Sequence, residues 1–251
     1  GTDDRGRDVL SRLIWGTRVS LPVGFIGAFT ALLIGLVYGC VSGYYGGRVD
    51  NLMMRIVDIM YAFPTMLLII LMMAFFKSTF ADVRPGTVAA TFNAVNKVVD
   101  SIVGLPGGGM LFIFMGIGIT AWMGMARLAR GQILSLKEKE FIEAAHMIGA
   151  GDMRILIRHI LPNIIGPCIV SETLAIPGYI STEVFLSFIG LGVDPPTPSW
   201  GSMISDGAAM LRTYPHMVIF PALALAVTMF AFNFLGDGLR DALDPKMKGT
   251  S

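Results

Sequence analysis

Residues 19–43 contain no Asp, Glu, Lys, Arg or His. A bilayer core of about 30 Å is crossed by roughly 20 helical residues, and inside it each backbone amide and carbonyl must find its partner within the spanning segment. A run of this length and composition restricts the chain to folds built from membrane-crossing helices. Three further runs lack Asp, Glu, Lys and Arg: residues 59–76, which the pattern extends back to about 52, residues 110–126, and residues 216–236. Residues 160–193 are too long for one straight crossing and hold Pro162, Gly166, Pro167, Pro177 and Gly178, which predicts a broken or kinked helix.

Composition leads to the same class. Apolar residues make up 54% of the chain, charged residues only 15%, and the mean hydropathy of +0.68 exceeds what a soluble domain of this size needs for its core. The expected fold is an all-α polytopic membrane bundle with five spans, at about 19–43, 52–76, 110–128, 160–190 and 216–236. They form a transmembrane domain over 19–243, with an external insert at 77–109, a cytoplasmic loop at 131–159 and a cytoplasmic tail at 244–251. A net charge of +1 gives no reason to expect nucleic acid.

Basic residues orient the bundle. With loop 131–159 in the cytoplasm, Arg48, Arg55, Arg127, Arg130, Lys137, Lys139, Arg154, Arg158, Arg240, Lys246 and Lys248 share that side, against Lys77, Arg84, Lys97 and Arg212 outside. Arg5, Arg7, Arg12 and Arg18 also fall outside. They alternate with Val9, Leu10, Leu13 and Ile14, so segment 1–18 reads as an amphipathic helix at the interface with snorkelling arginines.

The cytoplasmic loop carries the strongest functional pattern. Residues 137–148 read as a short helix with Phe141, Ala145 and Ile148 on one face and Lys137, Glu140 and Glu143 beside it. Gly149-Ala150-Gly151 ends that helix, and Asp152 is a candidate N-cap for the next. The order Glu143-Ala144-Ala145, Gly149 and Leu161-Pro162 resembles the EAA loop of permease subunits of binding-protein-dependent ABC importers. Gly1-Thr2-Asp3-Asp4 with Gly6-Arg7-Asp8, Gly43-Tyr44-Tyr45-Gly46-Gly47, Arg158-His159-Ile160-Leu161-Pro162-Asn163, the stretch from Leu186 to Gly192, that from Pro195 to Gly201, and Gly236-Asp237-Gly238-Leu239-Arg240-Asp241 extend the likeness. Together they resemble the C-type permease of the oligopeptide/dipeptide and nickel transporter group. His159 stands where the general EAA pattern has isoleucine, but the peptide-transporter branch resembles Arg-His-Ile-Leu-Pro at this place.

The resemblance implies a bundle of the type I ABC importer kind, in a bacterial inner membrane, with Glu143, Ala144, Ala145, Gly149, Leu161 and Pro162 coupling it to the ATPase. It implies as partners a second homologous permease, two ATPase subunits that hold ATP and Mg, an extracytoplasmic solute-binding protein and a peptide substrate. Relatives of this type carry one more helix before the Gly-Thr-Asp segment, so six spans are expected in the full-length protein, five of them in this sequence. Relatives also have a shorter link at 77–109, where Val88, Phe92, Val95, Val99 and Ile102 recur at helical spacing. This insert reads either as a contact for the external binding protein or as a plain spacer.

Glu172 and Glu183 lie inside the proline-rich crossing. An ionisable group there costs about 2.5–3.5 kcal/mol on insertion scales. They are candidates for the translocation path, where a carboxylate meets a peptide amino group; the competing and more ordinary reading is a hydrogen bond to freed backbone amides or to a neighbouring subunit. Asp58 is expected to pair with Arg55 at i, i+3. His146, His159 and His216 are scattered, which gives a metal no ligand set, and Cys40 and Cys168 sit in apolar runs as ordinary buried thiols. Without a Gly-x-x-x-x-Gly-Lys-Ser/Thr stretch the chain is not expected to hydrolyse ATP or to act as an enzyme. A secondary transporter with a broken-helix substrate site is the competing reading, but it predicts an internal repeat that the chain does not show.

Overall fold

A computed structural model describes residues 1–79, 91, 94, 95, 97–99, 101 and 110–243. The first helix, α1 (Val9–Thr30), starts where Asp8 caps it, the Asp8 carboxylate accepting from the Ser11 amide at 2.7 Å. Residues 9–18, expected along the interface, form its opening turns and run without a break into the apolar segment. Ala31–Gly35 is a π turn, after which α2 (Leu36–Tyr45) completes the crossing. Gly46 (φ 64°) and Gly47 (φ 53°) then reverse the chain in a left-handed conformation that a side chain disfavours.

The second crossing is broken. α3 (Gly47–Ala62) stops at Phe63, whose extended conformation (φ −80°, ψ 138°) is that favoured before Pro64, and α4 (Thr65–Thr79) begins just after the proline. α5 (Met110–Lys137) extends well past its apolar run. It is followed by the short α6 (Glu140–Met147) and α7 (Asp152–Ile155). The long α8 (Leu161–Phe188), the short α9 (Trp200–Ala208) and the final α10 (His216–Leu243) complete the described chain. Among the described residues, four continuous helical stretches are long and apolar enough to span a membrane, and the α3–α4 pair makes a fifth candidate. The expected helix at 88–103 falls largely outside the described residues, as does the tail at 244–251.

The predicted irregularity in the fourth crossing lies earlier than expected. α8 is continuous through Pro167 and Pro177, whereas residues Leu156–Ile160 widen into a π turn just before Pro162. There the Leu161 amide reaches back to the Leu156 carbonyl, five residues away, immediately ahead of a proline that has no amide to donate. Within α8 the hydroxyls of Thr173, Ser181 and Thr182 each donate to the carbonyl one turn back.

Two compact units divide the chain. One comprises Gly1–Gly27, Thr65–Ile119 and Ile176–Ala231. At its N-terminal segment Asp3 accepts from Arg7 and Arg12, both at 2.7 Å, and Arg12 also reaches Asp206 on α9 at 3.2 Å. The other comprises Ala28–Pro64, Thr120–Ala175 and Phe232–Ser251. Its packing rests on a stripe of Gly35, Gly39 and Gly43 that lets the π turn and α2 approach the backbone of α5. A Cβ on Gly39 would collide with the Ala126 carbonyl and stand 2.7 Å from the Ala129 side chain, and one on Gly43 would lie 3.0 Å from the Arg130 carbonyl. Small residues at four-residue spacing are how apolar helices gain close packing without a hydrophobic driving force.

Candidate functional site

The segment singled out by its charge and glycines forms a distinct structure within the second unit. Lys139 leaves helical geometry (φ −89°, ψ 139°), so the single helix expected over 137–148 is instead the end of α5 and a separate eight-residue α6. The expected apolar face also shifts. Ile142 and Ala145 are buried (1% and 5% exposed), whereas Phe141 (45%) and Ile148 (85%) face outward. Ile148 lies beyond the last turn of so short a helix, and the chain turns it away before it can join the buried face.

Ile142 and Ala145 join Cys40, Tyr44, Ile133, Ile155, Ile160 and Ile164 in one apolar cluster, with Leu161 packed partly against it. Two side chains therefore anchor α6 to α2, α5, α7 and α8 together. Its other side, bearing Glu143 and Ala144, is exposed, and Met147 is exposed at 83%.

Gly149 terminates α6 at φ 79°. The Gly149 amide donates to the His146 carbonyl at 2.9 Å and the Ala150 amide to Ala145 at 3.0 Å, the paired bonds of a Schellman cap. The next helix is capped by Gly151, not by Asp152 as expected, because Asp152 is already its first helical residue. That leaves the Asp152 carboxylate to accept from the Tyr44 hydroxyl at 2.9 Å. Lys137 donates to the Tyr44 carbonyl at 2.6 Å, so one tyrosine is held from both sides of the loop.

Nearby ion pairs were not visible in the pattern. Arg130 grips Asp50 with both Nε (2.5 Å) and Nη2 (2.6 Å), while Ser42 donates to the same carboxylate. Asp58 accepts from Arg127 at 2.6 Å in place of the expected Arg55, and the Arg127 guanidinium also lies 4.1 Å from the centre of the Tyr61 ring. An arginine on a neighbouring helix, steadied by an aromatic face, displaces the intrahelical neighbour. The glycine spacing at 35, 39 and 43 was a readable sign of close helix packing; the pairing of Asp50 with a residue 80 positions away was not.

The two membrane carboxylates lie apart from this loop in sequence. Glu183, in the first unit, is fully buried and accepts from Ser20 (2.9 Å) and Ser187 (2.6 Å). Ser199 extends the network to Ser187 at 3.1 Å and caps α9 through the Ser202 amide. Glu172, in the second unit, is buried on α8.

Comparison with known proteins follows the same lines. Residues 31–249 match the family described as binding-protein-dependent transport system inner membrane component. The chain is 46% identical over 246 residues to the oligopeptide transport system permease protein OppC of Haemophilus influenzae, an alignment covering 98% of this chain and 70% of that protein. It is 41% identical to the dipeptide transport system permease protein DppC of Bacillus subtilis, over 99% of this chain and 68% of the relative. The glutathione transport system permease protein GsiD of Escherichia coli is 41% identical, with 99% and 72% covered. Among solved structures, an inward facing conformation of the MetNI methionine ABC transporter shares the fold with a TM-score of 0.68 at 18% identity, over 93% of this chain and 96% of that one.

Proposed function

The chain belongs to the binding-protein-dependent transport system inner membrane components, and from that membership we propose that it forms half of the translocation pathway of an ATP-driven importer for peptides. It is a multi-pass protein of the inner membrane. A second, homologous permease completes the pathway, two ATPase subunits supply ATP and its Mg, and an extracytoplasmic binding protein delivers the cargo. Peptide is the class favoured by relatives that transport oligopeptides and dipeptides.

One observation carries the coupling role. α6 is anchored inward by Ile142 and Ala145, yet presents Phe141 and Met147 outward beside exposed Glu143, with exposed Ile148 just past its end. Large exposed apolar side chains rimmed by charge mark a protein contact. Small Ala144 permits close approach to an ATPase cleft, and Glu143 offers a charge-assisted bond there. When the ATPases close on ATP, α6 moves with the cleft. The Gly149 cap and the Tyr44–Asp152 bond pass that motion to α7, and Leu161 and Pro162 pass it through the π turn into α8. Exchange between inward-open and outward-open packings of the bundle follows.

Purification from native membranes with mass spectrometry of the bound proteins tests this reading. Recovery of a second permease and one or two ATPases supports it. A lone chain or homo-oligomer, in detergent that preserves other complexes, overturns it.

A further inference from the structure

A groove of about 400 Å³ opens in the second unit between α5, α8 and α10. Leu128 of α5, Val170 and Leu174 of α8 and Leu243 of α10 give it apolar walls, Ser171 adds a hydroxyl, and Arg240 is the one charged side chain among the described residues that line it. Asp237 and Asp241, neighbours of Arg240 in sequence, do not line it. A space of this size is large enough for a small amphiphile.

Its depth is set by the helices. Pro167 and Leu174 bound its length on α8, and seven residues of helix rise about 10 Å, less than the half-thickness of a ~30 Å hydrocarbon core. Arg240 stands one turn before the end of α10, on the side of the bundle to which most of the Lys and Arg residues in the connections fall. The groove therefore offers hydrocarbon within one leaflet and a cation at headgroup level of the cytoplasmic face.

We propose that this groove binds an anionic phospholipid of the cytoplasmic leaflet, its headgroup on Arg240 and an acyl chain along Val170, Leu174 and Leu243. The complementarity is of both charge and shape. A transmembrane helix of another subunit fills such a groove with hydrocarbon, but answers Arg240 only if it happens to carry a carboxylate at that level. A lipid brings its phosphate already at that depth, and basic pockets between helices on the cytoplasmic side are recognised binding places for such headgroups.

The test is native mass spectrometry of the assembled transporter in nanodiscs that contain phosphatidylglycerol and phosphatidylethanolamine in equal amounts. The expected result is selective retention of phosphatidylglycerol. Retention falls about fivefold in Arg240→Gln, the effect of one basic contact, and recovers in Arg240→Lys. Ser171→Trp, which fills the groove without touching the charge, abolishes it. Equal retention of both lipids, or the same retention in all variants, overturns the proposal. So does a photo-crosslinker at position 171 that labels the second permease in place of lipid. The complex stays intact in each case, so the readout is independent of whether the cargo is a peptide.

Discussion

The Tyr44 hydroxyl donates to Asp152 Oδ1 at 2.9 Å, joining the last turn of the first crossing to the first residue after the Gly149 turn. Tyr44→Phe removes only this bond and keeps the ring in its apolar cluster. A hydrogen bond to a charged group contributes about 1.5–3 kcal/mol, less where the carboxylate is exposed, as Asp152 is. The expected outcome is normal membrane insertion with reduced uptake per ATP hydrolysed. Unchanged coupling in reconstituted vesicles would remove this bond from the transmission path.

Gly149 adopts φ 79°, a conformation that costs a residue with a side chain about 1–2 kcal/mol and that proline cannot adopt. Gly149→Pro and Glu143→Lys both fall outside the candidate spans, so insertion should survive. ATPase activity is expected to persist while uptake falls at least tenfold. Wild-type uptake in both variants sinks the coupling role of this loop.

Apolar spans were readable because length and hydrophobicity act locally: residues 19–43 led to α1 and α2 with no knowledge of their neighbours. The position of Gly149 was readable for the same reason, since a helix stop is a local event. Which arginine Asp58 meets was not, because that depends on the helix beside it. The buried face of α6 was misjudged by one position, Ile142 in place of Phe141, because eight residues are too few for periodicity to fix a face.

Asp50 is held in a two-pronged grip by Arg130, and its side chain is only 9% exposed against 34% for the arginine. Removing one partner of a buried pair costs about 3–5 kcal/mol, and the partial exposure of Arg130 places Asp50→Ala near the lower end of that range. Thermal unfolding in nanodiscs should show a clear drop. Arg130→Met on the Asp50→Ala background should add less than it does alone. Additive effects would mean that the two residues act independently.

Asp3, outside the candidate spans, carries a pH signature. Burial pushes its carboxyl upward, but bonds from the Arg7 backbone and side chain and from the Arg5 amide outweigh this and hold it below the ordinary value of 3.8. A carboxylate whose folded value is depressed stabilises the protein fully above its unfolded value, and that contribution is lost as pH falls through the folded value. The stability gap between wild type and Asp3→Asn should therefore be widest at neutral pH and close only below about pH 4. A gap that does not change between pH 7 and pH 3 would show that the ionised carboxylate is not what holds the N-terminal segment.

Glu183 separates the two roles open to a carboxylate in the membrane. Ser20 from α1 and Ser187 from α8 both donate to it, and Ser199 ties that network to the start of α9. Such enclosure favours a structural role over contact with cargo. Glu183→Gln keeps an acceptor for one serine and lets its amide donate to the hydroxyl of the other, and should leave uptake and substrate preference within twofold of wild type, whereas Glu183→Ala leaves buried hydroxyls without their acceptor at about 1–3 kcal/mol each and should lower the yield of folded protein. Glu172→Gln provides the contrast on the other stretch of α8. A change in peptide preference in Glu183→Gln, measured by competition between charged and neutral peptides, would place Glu183 on the translocation path after all.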